Sequence, residues 1–259
     1  MLRLVTIPIS HYCEKARWAL LRAGLPYREE PHVQGMHRLY ARRAGGGRTV
    51  PVLVTPDGAI GESSQIISWI DAGLPVARRL NGEGVTAQHV AGVCARLDER
   101  LGPAGRRLIY VRMFAQPELM LRFNNQGVPR WEDRALRAGL PFARRFLAHA
   151  LAITPGVEVA DERLVWEELD WVAEQLSDGR PFLMGERFTA ADLTFAALAA
   201  PVVLPPVYGV RLPPLESLDE PTLQLVERAR AHPAGAFALR MIAEQRGPVG
   251  ASSPSLPTA

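Results

Sequence analysis

Lysine is almost missing from this chain. Lys15 is the single lysine among 259 residues, so nearly all of the 30 basic side chains are arginine, and the net charge is only +3. That small balance, with no dense basic tract, speaks against a nucleic-acid partner. Pairs such as Arg42-Arg43 and Arg144-Arg145 read as solvated helix faces, and the arginine bias reads as the codon usage of a GC-rich bacterial genome. Cysteine is scarce too. Cys13 and Cys94 are too few for a disulfide framework and suit a reducing compartment. No apolar run reaches the roughly 18 residues that a spanning helix needs, and residues 1–9 lack the charged-then-apolar build of a signal peptide. No spacing of histidine and cysteine has the form of a metal site. A cytoplasmic protein without metal, membrane or nucleic-acid partner is expected.

What is there is ordinary for a soluble domain with a proper core: 47% hydrophobic and 22% charged residues. The length allows one large or two ordinary domains. Residues 2–8 alternate as a strand. Residues 11–23 carry Ala16, Ala19, Leu20 and Ala23 at helical spacing, closed by Gly24 with Pro26 beyond. A second strand is expected at 27–32 and a helix at 36–44, ended by Gly45-Gly46-Gly47. The strand-like run 49–54 is interrupted by Pro51, which removes a ladder donor and belongs at a strand start, edge or bulge. An X-Pro bond also admits a cis peptide, which would turn the Val50 N–H and C=O toward a ligand. Asp57-Gly58 reads as a hairpin turn, with a return strand at 59–60. Glu62 and Ser63 then open a helix to residue 71, whose free N–H groups and positive dipole end suit a carboxylate, although Ser63 can serve equally as a plain cap. The order β-α-β-α-β-β-α is that of the thioredoxin-like fold.

Beyond a linker rich in glycine and proline at 71–84, the pattern turns helical. One long helix is expected over 86–114, then helices at 129–153, 158–176, 221–231 and 234–246. Thr189 caps a helix over 190–198, with Asp192 reaching back to its N–H and Phe188 and Leu193 placed as a hydrophobic staple. Residues 200–214, with five prolines, are expected to be irregular, and 247–259 to be a frayed tail. The division is therefore an α/β thioredoxin-like domain at 1–75, a linker at 76–85, an all-α helical domain at 86–246, and the tail.

This layout resembles the cytosolic glutathione transferase superfamily over roughly residues 2–246. The residues that carry the resemblance are Ile9-Ser10-His11-Tyr12-Cys13-Glu14-Lys15-Ala16-Arg17, Val50-Pro51, Glu62-Ser63 and Phe188-Thr189-Ala190-Ala191-Asp192-Leu193, which stand in the family's order. The resemblance implies glutathione as cosubstrate, with Ser10 meeting its thiol as a hydrogen-bond donor. It implies that Val50, before Pro51, pairs with the cysteinyl backbone, that Glu62 meets the γ-glutamyl ammonium, and that Ser63 meets the γ-glutamyl carboxylate. Arg48 and His37 are both candidates for the glycyl carboxylate, and spacing does not choose between them. A small hydrophobic or electrophilic second substrate would lie between the domains, with Tyr12, Tyr110, Met113 and Phe114 as candidate contacts, though a Tyr or Met on a long helix also serves as core. Stretch 200–214 either closes over that site or wraps the surface. A homodimer is implied as well.

The Ser-His-Tyr-Cys run has the shape of a Cys-x-x-Cys motif with Ser10 in place of the nucleophilic cysteine, which argues against dithiol chemistry. Cys13 is expected to pack against the sheet. His11 either orients a substrate or is an exposed turn residue. The expected function is activation of the glutathione thiolate for addition to, substitution on or isomerisation of a small electrophile. Two rivals are a non-catalytic binding module of the same fold and a glutaredoxin-like thiol transferase working through Cys13. Another low-molecular-weight thiol stays open as cosubstrate.

Overall fold

In the computed structural model, which describes residues 1–247, the alternating stretch Leu2–Thr6 forms β1. β2 (Tyr27–Pro31) runs parallel to it, β3 (Val52–Thr55) antiparallel, and β4 (Gly58–Gly61) returns from β3 through the expected hairpin, in the order β2-β1-β3-β4. The pleat sorts the side chains. Leu4 and Leu53 join the main core beneath α1 (His11–Ala23) and α3 (Ser63–Ala72), whereas Val5 and Val52 turn to Ala41 of α2 (His37–Arg43). Gly24 ends α1 in the left-handed conformation at φ 71°, as its position predicted.

Nine helices follow: α4 (Gly84–Glu99), α5 (Leu101–Met113), α6 (Pro117–Asn124), α7 (Arg130–Ala138), α8 (Leu140–Ala150), α9 (Val157–Gln175), α10 (Ala190–Val203), α11 (Glu220–Ala231) and α12 (Pro233–Gln245), counted among the described residues. α10 is apolar on every side and almost wholly buried, the mark of a helix at the centre of a bundle. Its start has the expected reciprocal cap: the Ala191 N–H donates to Thr189 Oγ1 at 3.3 Å and the Thr189 N–H to Asp192 Oδ2 at 2.8 Å. The Leu183 N–H donates to the other Asp192 oxygen at 2.7 Å, so this carboxylate also ties down the preceding turn.

Four expectations need correction. The helix expected over 86–114 breaks at Arg100 (φ −110°, ψ −69°). Pro103 is the physical reason: it brings no N–H for the Glu99 carbonyl, and its ring crowds that carbonyl. The helix expected over 129–153 is divided at Gly139 into α7 and α8, with Pro141 in the first turn of the second. α6 was not expected, although Pro117 at its first position is a start signal. Stretch 200–214 is not irregular throughout, because α10 continues through Pro201 to Val203. In the connection at 71–84, a short 3₁₀ turn (Val76–Arg78) intervenes, and Asp71 accepts the Leu80 and Asn81 N–H groups at 2.8 Å each. Of the tail expected at 247–259, all but Gly247 lies outside the described residues.

α1 joins the sheet to the helices, and it does so with charge. Glu14, Lys15 and Arg17 are all at most 2% exposed. The Lys15 ammonium donates to both oxygens of Asp98 on α4, at 2.6 and 2.8 Å. Arg17 donates to Glu29 on β2 at 2.6 and 2.9 Å. Glu14 accepts from the Arg246 guanidinium beyond α12 and from the Gly209 N–H at 3.0 Å. Trp18 Nε1 donates to the Gln245 carbonyl at 3.0 Å. Removing one partner of such a pair strands a charge away from water. Asp98→Asn, which leaves Lys15 without a counter-charge, is therefore expected to lower the unfolding free energy by about 3 kcal/mol in urea titration. Lys15→Met leaves only Asp98, whose side chain is 24% exposed, and should cost less.

Candidate functional site

The register of the sheet brings three of the sequence motifs to one end. Val5 stands opposite Val52, and Val52 opposite Gly61, so the loop after β1, the residues before β3 and those after β4 are neighbours. They carry Ser10, Val50-Pro51 and Glu62-Ser63.

Ser10 is the N-cap of α1 (φ −65°, ψ 123°), and its Oγ accepts the Cys13 N–H at 3.3 Å. With that N–H engaged, the His11 and Tyr12 N–H groups of the first turn have no partner within the helix. The loop is held from three sides. Ser10 N–H donates to the Ile7 carbonyl at 3.1 Å, Arg17 to the same carbonyl at 3.4 Å, and the Tyr208 hydroxyl to the Ile9 carbonyl at 3.2 Å. Arg17 and Tyr208 escaped the sequence reading. Tyr208 lies 199 residues away, and no local pattern announces such a contact.

The Val50-Pro51 peptide is cis, as its sequence allowed. Beside it, Glu62 adopts φ 60°, ψ 132°, a conformation uncommon outside glycine and often retained at ligand sites. Its carboxylate accepts the Thr49 hydroxyl at 2.8 Å, and its own side chain is exposed. Ser63, only 5% exposed, is the first residue of α3, so its N–H belongs to the helix's free set.

A cavity of about 340 Å³ runs from this end of the sheet into the helices. Its wall brings together Ser10, His37, Arg48, Tyr110 and Met113 of the predicted residues. It does not include Val50, Pro51, Glu62 or Ser63, which stand beside it. Nor does it include Tyr12 or Phe114. Tyr12 is tucked beneath α5, where its hydroxyl donates to the Asp98 carbonyl at 2.8 Å and a side chain at Gly102 would strike it. Burial pushes the Tyr12 hydroxyl up to about 12. Phe114 packs at the end of α5 with the Arg144 guanidinium over its ring at 5.4 Å.

His11 is not an exposed turn residue. It is 3% exposed, its ring lies 4.5 Å from that of Tyr12, and it forms part of the cavity wall. Burial, then the charges of Arg106 and Lys15, hold it well below the usual histidine range, so it is neutral at pH 7. His37 is also neutral: burial and Arg38 lower it to about 4, and its Nδ1 accepts the Gly35 N–H at 3.1 Å. Arg48 is exposed and makes no ion pair among the described residues. Cys13 is fully buried, and burial pushes its thiol up to about 11, which leaves it protonated at neutral pH. Cys94 is core, its sulfur accepting the Thr194 hydroxyl at 3.4 Å. Among the described residues no group of three or more metal-ligating side chains is placed to hold an ion, and no helix is long and apolar enough to cross a membrane.

Residues 4–75 match the family model described as glutathione S-transferase, N-terminal domain. Solved structures share the fold over nearly the whole chain. A glutathione S-transferase from Xanthobacter autotrophicus is 19% identical, with 96% of each chain covered and a TM-score of 0.62. A glutathione transferase from Populus trichocarpa is 16% identical, with 94% of each covered and a TM-score of 0.60. A glutathione S-transferase of Ceriporiopsis subvermispora, solved in complex with glutathione, is 16% identical, covering 93% of this chain and 95% of its own, with a TM-score of 0.60. No curated protein matches by sequence.

The backbone at residue 62 gives a stability test that needs no ligand. At a positive φ the usual preference for alanine over glycine reverses. Glu62→Gly is expected to be more stable than Glu62→Ala by about 1 kcal/mol in urea titration, since both lose the Thr49 hydrogen bond alike.

Proposed function

We propose, from the match of residues 4–75 to the glutathione S-transferase N-terminal family model and the fold shared with solved glutathione transferases, that the chain belongs to the cytosolic glutathione transferase superfamily and is a glutathione-dependent enzyme acting on a small electrophile. The observation that carries this reading is Ser10, whose hydroxyl caps α1 at the wall of the cavity. Because Ser10 Oγ accepts from the Cys13 N–H, its proton is free to be donated to a sulfur. A charge-assisted bond of this kind, with the free N–H groups of the first helical turn, favours thiolate over thiol and lowers its pKa from about 8.5. Ser10 acts as donor; its own hydroxyl is far too weak an acid to be a base.

The rest of glutathione is assigned by charge. Glu62 takes the γ-glutamyl ammonium, and Ser63, with its N–H at the start of α3, takes the adjacent carboxylate. Val50, beside Pro51, pairs its backbone with the cysteinyl unit. Of the two candidates for the glycyl carboxylate, Arg48 keeps a free charge whereas His37 is neutral, so Arg48 is the ion-pair partner and His37 a neutral donor beside it. The second substrate is assigned to the cavity, against Tyr110 and Met113, and the candidates Tyr12 and Phe114 lie outside its wall. Holding both reactants supplies the proximity term, and the thiolate supplies the nucleophile. Addition, substitution and isomerisation draw on the same groups. A cytoplasmic homodimer belongs to this proposal. The buried, protonated Cys13 speaks against a thiol transferase working through that residue.

Calorimetric titration with glutathione tests the reading. Binding in the micromolar to millimolar range is expected, weakened at least about tenfold by Glu62→Ala through loss of a charge-assisted contact. Ser10→Ala should keep binding but raise the pH at which the complex shows thiolate ultraviolet absorbance. Cys13→Ser should retain full activity toward an electrophile. No heat from a protein shown folded by circular dichroism would overturn the proposal.

A further inference from the structure

Seven large apolar side chains are exposed among the described residues, and four of them stand on three helices. Leu39 of α2 is 41% exposed, Trp131 of α7 53%, and Phe142 and Phe146 of α8 81% and 47%. Single exposed apolar residues are ordinary, whereas a group of them marks a surface that meets something. The three helices adjoin. The Arg38 guanidinium lies over the Phe146 ring at 5.1 Å, which joins α2 to α8. Glu132 of α7 meets His32 Nδ1 at 2.8 Å, and the His32 ring stacks on Tyr40 of α2 at 3.5 Å.

Each helix turns outward a stripe with the spacing of one helical face. On α2 the stripe is Leu39, Arg42 and Arg43, on α7 it is Trp131, Arg134 and Ala135, and on α8 it is Phe142, Arg145 and Phe146. All nine residues are exposed. The charge on these helices has one sign. They hold eight arginines and two acids. Glu132 is buried against His32 and the Val33 N–H, and Asp133 takes Arg137. The other seven arginines make no ion pair among the described residues. Because the whole chain carries only +3, this region is far more cationic than the rest.

The two features together select the partner. A nucleic acid would take the arginines and leave Phe142 in water. A protein groove would have to enclose apolar residues spread over three helices. Aromatic rings flanked by arginines suit the boundary of a bilayer, where the rings enter the headgroup layer and guanidinium groups stay with anionic phosphates. We infer that the outer face of α2, α7 and α8 docks on an anionic membrane surface, through Trp131, Phe142 and Phe146 and through Arg42, Arg43, Arg134 and Arg145. The contact is peripheral, and no helix crosses the bilayer. Arginines that read from the sequence as merely solvated acquire a partner here. The inference does not rest on the proposed function, since no ligand of the cavity takes part.

Vesicle flotation of the full chain is the test. Binding is expected to be at least about tenfold stronger on phosphatidylcholine vesicles holding phosphatidylglycerol than on phosphatidylcholine alone, and to fall as salt is raised. Arg145→Glu should weaken it about fivefold or more, the factor for one charge at an anionic leaflet. Phe142→Ser should weaken it by a similar factor through lost apolar burial. Both side chains are exposed, and circular dichroism checks that the variants fold. Arg163→Glu on α9, where the side chain is 82% exposed, makes the same change in net charge and should leave binding within about twofold. No binding to anionic vesicles, equal binding to neutral ones, or equal loss in Arg145→Glu and Arg163→Glu would overturn the inference. Retention of a DNA duplex without vesicle binding would assign the arginines to nucleic acid instead. A dimer split by Phe142→Ser, in a protein that ignores vesicles, would assign the face to a second copy of the chain.

Discussion

Burial of charge inside α1 is the constraint on which the remainder depends. A helix that carries Glu14, Lys15 and Arg17 in succession would ordinarily face water. Here the sole lysine is fully enclosed against Asp98, Arg17 reaches Glu29 on the sheet, and Glu14 takes the Arg246 guanidinium from the far end of the chain. Taking these ions out of water is costly, and ion pairs in such a place are poor sources of net stability. They do supply direction, because each pair is satisfied in one arrangement only. The helix is thereby fixed against both the sheet and the helical region, and its N-terminus, with Ser10, is fixed at their junction. Arg17 acts twice, since the side chain that pairs with Glu29 also donates to the Ile7 carbonyl of the loop bearing Ser10.

At the same end of the sheet the chain accepts a local cost. Glu62 holds a backbone conformation that glycine would adopt more easily, and it places an exposed carboxylate beside the first N–H groups of α3. The neighbouring cavity has the opposite character, with arginines, neutral histidines and no acid on its wall. An exposed acid thus stands beside a cationic, largely apolar chamber.

What could be read from the sequence was what local chemistry determines. The strand alternation, Gly24, the Asp57-Gly58 hairpin, the Val50-Pro51 bond and the Thr189–Asp192 cap each depend on residues within a few positions of one another, and each was legible. The break at Arg100 was legible in principle from Pro103, but helical periodicity on both sides hid it. Ser10, Val50 and Glu62-Ser63 could be singled out because each sits on a motif, and the sheet register brings those motifs to one end. The burial of His11 had no local signal, because it depends on the helices packed around the start of α1. Arg106, Thr222 and Tyr208 carry no local signal. They stand in helices and a loop placed by the fold, and only packing between distant segments brings them to the cavity wall. With 16–19% identity to the solved relatives, likeness of fold leaves the cavity wall free to differ.

The most direct test of the whole account is a crystal structure of the protein with glutathione. The account predicts the sulfur within hydrogen-bond distance of Ser10 Oγ, the γ-glutamyl end at Glu62 and Ser63, and the space beside Arg106 left free. A sulfur bonded to Cys13, or glutathione lying with its carboxylates on Arg106, would contradict it.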